Sequence, residues 1–297
     1  MITNLFRRLV KVFTVHILGK KQLLRILNKL LRVSNQNIED MIDYSYSVKA
    51  ITGYDLIRIG YKKEGIDDYG DEEHTGELFF LKNELLKIVG SSPLIFDVGA
   101  NIGNYSRLAK NCYPNAKIYA FEPNPESFKV LNSNRIPDIE SFELGFGKLP
   151  SVSRIYTNKK ISNSEHASLL KDVFLELHKE TDIISHVVQI STIDSFCSSH
   201  SIDKINFLKI DTEGFEYEVL LGATQMIESG RVEVIQFEFN EMNIISKVFL
   251  KDFYALLSPR FNFYRLKRDK LIPLGDYTSF NEIFRYQNLI LISKNFS

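Results

Sequence analysis

From residue 94 to the end, the chain alternates short apolar runs with helix-period segments, and this alternation restricts its fold more than any other feature. The runs fall at 94–98, 117–121, 139–144, 206–210, 232–239, 261–266 and 289–292. Helical patterns follow the first, second, fourth and fifth of them, near 104–112, 125–134, 215–229 and 249–257. Parallel strands need crossovers and helices are the usual crossovers, so the pattern predicts an α/β domain whose mostly parallel sheet is covered by helices on both faces. The last two runs lack a long helix between them and are expected to pair antiparallel. Residues 150–200 form an insertion between the third and fourth strands. It carries its own strand pair (154–157 with 187–190) around a polar Ser-Asn-Ser-Glu-His loop, placed to cap a pocket.

The first strand ends in LIFDVGANIGNYS, residues 94–106. Glycines at 99 and 103 let the chain turn sharply beyond the carboxyl end of a strand, which is where ligands of open α/β sheets bind. Asp97, Gly99, Asn101, Gly103, Tyr105 and Ser106 are therefore candidates to wall a pocket. The second strand ends in YAFEPNP, where Glu122 stands 19 residues after Gly103 and is followed by Pro123. A carboxylate at that place accepts hydrogen bonds from ribose hydroxyls, so a nucleoside-containing cofactor is expected. A dinucleotide fingerprint needs a bare glycine where this chain has Asn101, which would crowd a pyrophosphate. S-adenosylmethionine has no phosphate, and its ammonium suits Asp97.

The fourth strand reads Phe207-Leu208-Lys209-Ile210-Asp211-Thr212-Glu213-Gly214. A central strand buried on both faces should be apolar, yet Lys209 and Asp211 share one face of its carboxyl half. Buried charges need partners, and Asp97, Glu213 and Glu238 are the expected ones. Asp211 and Glu213 are candidate general bases, Lys209 would steer them, and Glu238 with Asn240 completes a rim. His166 in the insertion loop is a further candidate base on the substrate side. The same carboxylates are also a conceivable Mg²⁺ set of hard oxygen ligands; no zinc spacing occurs.

Taken in order, DVGANIGNYS, YAFEPNPESFKVLNSN, TIDSF (192–196), INFLKIDTEGFEYEVLLGA (205–223) and IQFEFN (235–240) resemble the FkbM family of S-adenosylmethionine-dependent methyltransferases. The resemblance covers about 94–293. It implies a class I, Rossmann-like methyltransferase sheet of seven strands, cofactor contacts at Asp97, Gly99, Asn101, Gly103 and Glu122, and transfer to a hydroxyl oxygen of a sugar, glycan or natural product. One departure is Gly147-Lys148, where such enzymes often carry a small residue and an acid near the adenine. Two other functions stay open at this point: a dinucleotide-dependent oxidoreductase or epimerase, and an inactive methyltransferase-like scaffold.

The first 92 residues lie outside the resemblance. Residues 1–38 carry Arg7, Arg8, Lys11, Lys20, Lys21, Arg25, Lys29 and Arg32 with no acid before Glu39. Leu23, Leu24, Leu27, Leu30 and Leu31 recur among them at helical spacing, which describes a basic amphipathic helix. Such a helix packs on its own domain or a second copy, or lies on an anionic leaflet. Residues 39–92 are expected to form a helical cap segment. The chain of 297 residues has 37 basic and 37 acidic side chains, so residues 39–297 are net acidic and a poor partner for nucleic acid. Two cysteines build no disulfide framework, and no transmembrane span or signal peptide is expected. The expected location is cytoplasmic, with peripheral contact at the inner face of the membrane where the basic helix binds lipid.

Overall fold

The computed structural model describes residues 56–67, 69–133, 136–158 and 167–296. The chain divides into two compact units, 1–63 and 64–297. Of the first, the described part is a helix, Leu56–Lys63. The basic helix expected over 1–38 lies outside the described residues. None of the described helices is long and apolar enough to cross a membrane.

In the second unit the apolar runs become strands β1 (Leu94–Val98), β2 (Lys117–Phe121), β3 (Ile139–Phe142), β7 (Ile205–Ile210), β8 (Val232–Phe239), β9 (Phe261–Lys267) and β11 (Gln287–Ser293). An additional strand, β10 (Lys270–Pro273), turns back on β9. The sheet order is β10-β9-β11-β8-β7-β1-β2-β3. This corrects the expected count from seven strands to eight: after the tight turn Lys267-Arg268-Asp269-Lys270 the chain pairs back over four residues only, and Pro273, which cannot donate to a sheet ladder, marks the segment in the sequence as a loop rather than an edge strand. β1, β2, β3, β7 and β8 run parallel, and β11 lies antiparallel between β8 and β9.

Side-chain alternation divides the core. Phe96, Val98, Leu208, Ile210, Ile235 and Phe237 face the helices Ile193–Ser199, Glu216–Leu221, Thr224–Glu228 and Leu250–Leu257. Ile95, Phe207 and Val234 face Phe80, Leu81 and Leu85 from the segment 77–89 and Tyr105 and Ala109 from Asn104–Cys112. The segment 77–89 is helical throughout, widening to a π-helix at Phe80–Leu85. A third element, Pro125–Ser133, packs Leu131 on Ala120.

The insertion folds as a separate sheet of β4 (Gly145–Phe146), β5 (Ser151–Asn158) and β6 (Ile183–Ser191). Arg154 pairs with Val187 in its antiparallel register, as the expected strand pair requires. Part of the expected cap, from Glu64 on, belongs to the same compact unit as the sheet. The buried Asp67 accepts a 2.7 Å ion-pair hydrogen bond from Arg285, and its backbone N–H donates to the Tyr286 carbonyl. These two bonds fasten the loop 64–76 beside the start of β11.

Candidate active site

A cavity of about 480 Å³ opens beyond the carboxyl ends of β1, β2, β7 and β8. Its walls come from two sets of residues.

The first set is local. β1 leads into a turn where Gly99 (φ 84°), Asn101 (φ 47°) and Gly103 (φ 86°) all adopt left-handed conformations. The amides of Gly99 and Ala100 both donate to the Phe121 carbonyl, at 2.9 and 3.0 Å, and that of Gly103 donates to Ala100. The Asn101 amide donates to Oε2 of Glu122 at 2.8 Å, and Oε1 accepts from the Asn124 amide at 2.7 Å. Glu122 is thus held as a two-handed acceptor, although burial pushes its carboxyl up to about 7. The turn has spent these four amides on its neighbours, which takes them away from a pyrophosphate. Leu144, Phe146, Ile155, Ala167 and Leu169 supply an apolar wall on the same side.

Three residues expected to touch a cofactor lie beneath this wall. Asp97 has no exposed surface and is absent from the cavity lining; its Oδ2 accepts a 2.6 Å bond from Ser106. Alternation along β1 turns Asp97 into the interior, toward the helix 104–112. Gly103 is also outside the lining, where a Cβ would strike Leu131, so its glycine serves packing. Gly99, Asn101, Tyr105, Glu122 and Pro123 do line the cavity. Lys148 is exposed, and Leu144, Gly145 and Phe146 form the wall beside it.

The second set is assembled from distant segments. Strand register sets Asp97 beside Lys209 and Lys209 beside Gln236, and sets Glu238 opposite Asn288, so a polar row crosses an otherwise apolar face. Lys209 is 6% exposed. Its Nζ lies 3.0 Å from Oδ2 of Asp211, 3.9 Å from Oδ1 of Asp97 and 4.6 Å above the centre of the Tyr105 ring. Burial opposes the ammonium, but Asp211, Asp97 and Glu77 outweigh it and hold Lys209 above its ordinary value. Glu238 is raised well above the usual carboxylate range, first by burial and then by the charges of Asp211 and Glu213. Lys209, Asp211, Glu213 and Glu238 all line the one cavity. His166 lies outside the described residues.

Several lining or supporting residues carry no motif. Glu77 accepts from Gln236 Nε2 at 2.7 Å and from Thr75 Oγ1 at 3.1 Å, and burial raises its carboxyl against the pull of Lys209. Gln236 also accepts from the Tyr105 hydroxyl at 3.2 Å. Tyr69 and Tyr286 stack 4.6 Å apart at the cavity edge. Below the loop, Oε1 of Glu216 accepts from the amides of Thr212 and Gly214, at 2.9 and 3.1 Å, and so fixes the strained Glu213 (φ 56°) between them.

The carboxylates do not fit a Mg²⁺ site. Among the described residues, no group of three or more His, Cys, Asp or Glu side chains is arranged to hold a metal ion, and Lys209 already occupies one oxygen of Asp211.

Strand order β3-β2-β1-β7-β8-β11-β9, with β11 antiparallel and an acidic residue at the tip of β2, defines a class I methyltransferase fold. Residues 97–263 match the methyltransferase FkbM domain, more than half of the chain, and the chain belongs to that family. It is 29% identical over 165 residues to methyltransferase sdnD of Sordaria araneosa (46% of this chain, 62% of that protein). It is 29% identical over 154 residues to hexuronic acid methyltransferase AglP of Haloferax volcanii (51% of this chain, 59% of that protein). The chain thus spans about three fifths of the length of these curated relatives. A crystal structure of methyltransferase FkbM from Methylobacillus flagellatus superposes with a TM-score of 0.40 at 12% identity, covering 80% of this chain and 59% of that one.

Proposed function

We propose that the chain transfers the methyl group of S-adenosylmethionine to a hydroxyl oxygen of a sugar, glycan or natural-product acceptor. The observation that carries the cofactor half is the Glu122 carboxylate facing a cavity whose turn amides are already satisfied. That site suits ribose hydroxyls without a phosphate, which argues against a dinucleotide. The acceptor half rests on Asp211, Glu213 and Glu238 in the same cavity. Relatives named a hexuronic acid methyltransferase and, in Sinorhizobium fredii, a 2-O-methyltransferase at 22% identity favour a sugar.

The residues present fit the cofactor: Glu122 would accept from its ribose, and Leu144, Phe146 and Pro123 would cover its base. When bound it supplies an electrophilic methyl on a sulfonium. The chain's own task is to align the acceptor oxygen and remove its proton. Asp211 takes that proton, and Lys209, clamped between Asp211, Asp97 and Tyr105, fixes the direction of the carboxylate. Glu238, in the same cavity and raised in its affinity for a proton, is the carboxylate to which Asp211 passes that proton.

Calorimetry with S-adenosylhomocysteine and NAD tests the cofactor half: binding of the first alone is expected, and binding of NAD alone overturns it. Labelled S-adenosylmethionine offered with nucleotide sugars and lipid-linked glycans tests the acceptor class.

A further inference from the structure

The acceptor half of the cavity carries a charge pattern that bears on which sugars it admits. Glu72, Glu77, Asp211, Glu213, Glu238 and Glu241 all line it. Lys209 is the only lysine or arginine among the described lining residues, and it is already engaged by Asp211 at 3.0 Å and seated on the Tyr105 ring. Nearby Arg285 is held by Asp67 at 2.7 Å. No described lysine or arginine of this wall is therefore left to meet an anionic ligand, and the one other basic side chain of the described lining is His178, whose Nε2 is buried.

Two further observations point to what does enter. Oε2 of Glu241 is wholly buried without a hydrogen-bond partner, an acceptor that a hydroxyl or an ammonium would satisfy. Tyr69 is 53% exposed while stacked on Tyr286 at 4.6 Å, and both rings line the cavity. An aromatic pair fixed this way offers a flat apolar face, with polar groups around it, to the C–H face of a sugar ring.

Building on the methyl-transfer reading above, we propose that this half of the cavity selects hydroxylated ring acceptors that carry no anionic group, and prefers an amino-substituted ring to its carboxylated counterpart. A carboxylate brought here would face like charges in a partly desolvated space with no described lysine or arginine left to pair with. An ammonium would meet carboxylates on several sides. Burial and the negative charge of Asp211 raise the carboxyls of Glu77 and Glu238 above their ordinary value, and a ligand would feel a field of the same sign.

The test uses the full chain saturated with S-adenosylhomocysteine and three probes that share one ring: a methyl glucoside, a methyl glucosaminide and a methyl glucuronide. Calorimetry should give the glucosaminide the tightest binding and the glucuronide at least tenfold weaker binding than either other probe. A glucuronide that binds as tightly as the others overturns the proposal. So does failure of all three to bind while S-adenosylhomocysteine binds. Failure of S-adenosylhomocysteine itself overturns the methyl-transfer reading instead, and the order of the three probes on the chain alone still decides the charge preference. Glu77→Gln and Glu241→Gln, each checked for unchanged S-adenosylhomocysteine affinity, should narrow the gap between glucosaminide and glucuronide several-fold. An unchanged gap in both variants overturns the assignment of the selectivity to this wall.

Discussion

The two halves of the cavity are built in opposite ways. The half that includes Glu122 has its frame in two neighbouring strands: β1, its turn, and the tip of the adjacent β2, stitched by backbone amides to Phe121 and to Glu122, with an apolar wall from residues between 144 and 169. The half that includes Asp211 draws on the loop 64–76, the tips of β7 and β8 and the residues before β11, joined by side-chain bonds such as Glu77 to Gln236 and Asp67 to Arg285. Backbone stitching tolerates many side chains provided the chain can turn, so that half can be shared across a family. Side-chain joints are replaceable one at a time, and so that half is where specificity can diverge. The family match runs from 97 to 263 and leaves out Tyr69, Glu72, Glu77 and Tyr286.

The contrast is sharpest where chemistry and binding separate. Asp211→Asn keeps the shape and removes the base, so turnover with the best acceptor should fall by about 10² or more while S-adenosylhomocysteine affinity stays within about twofold. Normal turnover in this variant would remove Asp211 from the reaction. Glu122→Ala should do the reverse: loss of hydrogen bonds to a charged acceptor predicts S-adenosylhomocysteine binding weaker by about 10- to 100-fold by calorimetry. Unchanged affinity would end its role as the ribose acceptor. Asp67→Ala frees the loop 64–76 from Arg285, and a several-fold rise in acceptor KM with little change in kcat is expected; a larger loss of kcat than of affinity would tie the loop to the chemistry.

The smallest effect is on stability. The carboxyls of Glu122 and Glu216 are raised to about 7 by burial, against an ordinary value of 4.5. The folded chain therefore holds more protons than the unfolded one between these values. The stability that each contributes is fully present below about pH 4.5 and is lost as pH rises through about 7. Denaturation of the cofactor-free chain should show this decline, about 3 kcal/mol for each residue. Glu122→Gln or Glu216→Gln should flatten it. A pH dependence identical in both variants and the parent would place these protons elsewhere.

The same difference in construction decides what could be read from the sequence. The seven long strands, the insertion pair and Glu122 were legible because apolar runs and glycine turns are local signals. Lys209 stood out because a charge in a central strand demands a partner, and the structure supplies Asp211 and Asp97. Gln236, 1% exposed in the next strand, carried the same signal in weaker form and was passed over. Glu77, Tyr69 and Tyr286 had none, since a contact 159 residues apart in sequence, as between Glu77 and Gln236, leaves no periodicity to detect. For Asp97 and Ser106 the motif names the residues and not the direction of their side chains, which the structure places bonded to each other outside the cavity lining. Strand β10 gives little signal because it is four residues long and ends in Pro273, which speaks against a strand.

Gly99 bears on how the molecule can move. A Cβ at this position would collide with the carbonyl oxygen of Asp211, so the two turns touch backbone to backbone where the halves meet. No side chain lies between them to swing aside. The floor of the cavity is thus a welded joint, whereas the loop 64–76 at its edge is held by the Asp67–Arg285 and Glu73–Arg268 ion pairs, the bond from the Asp67 amide to Tyr286 and the Tyr69–Tyr286 stack. Any displacement of the Gly99 turn is delivered straight to Asp211, which makes the spacing of the two halves of the cavity a property of the backbone.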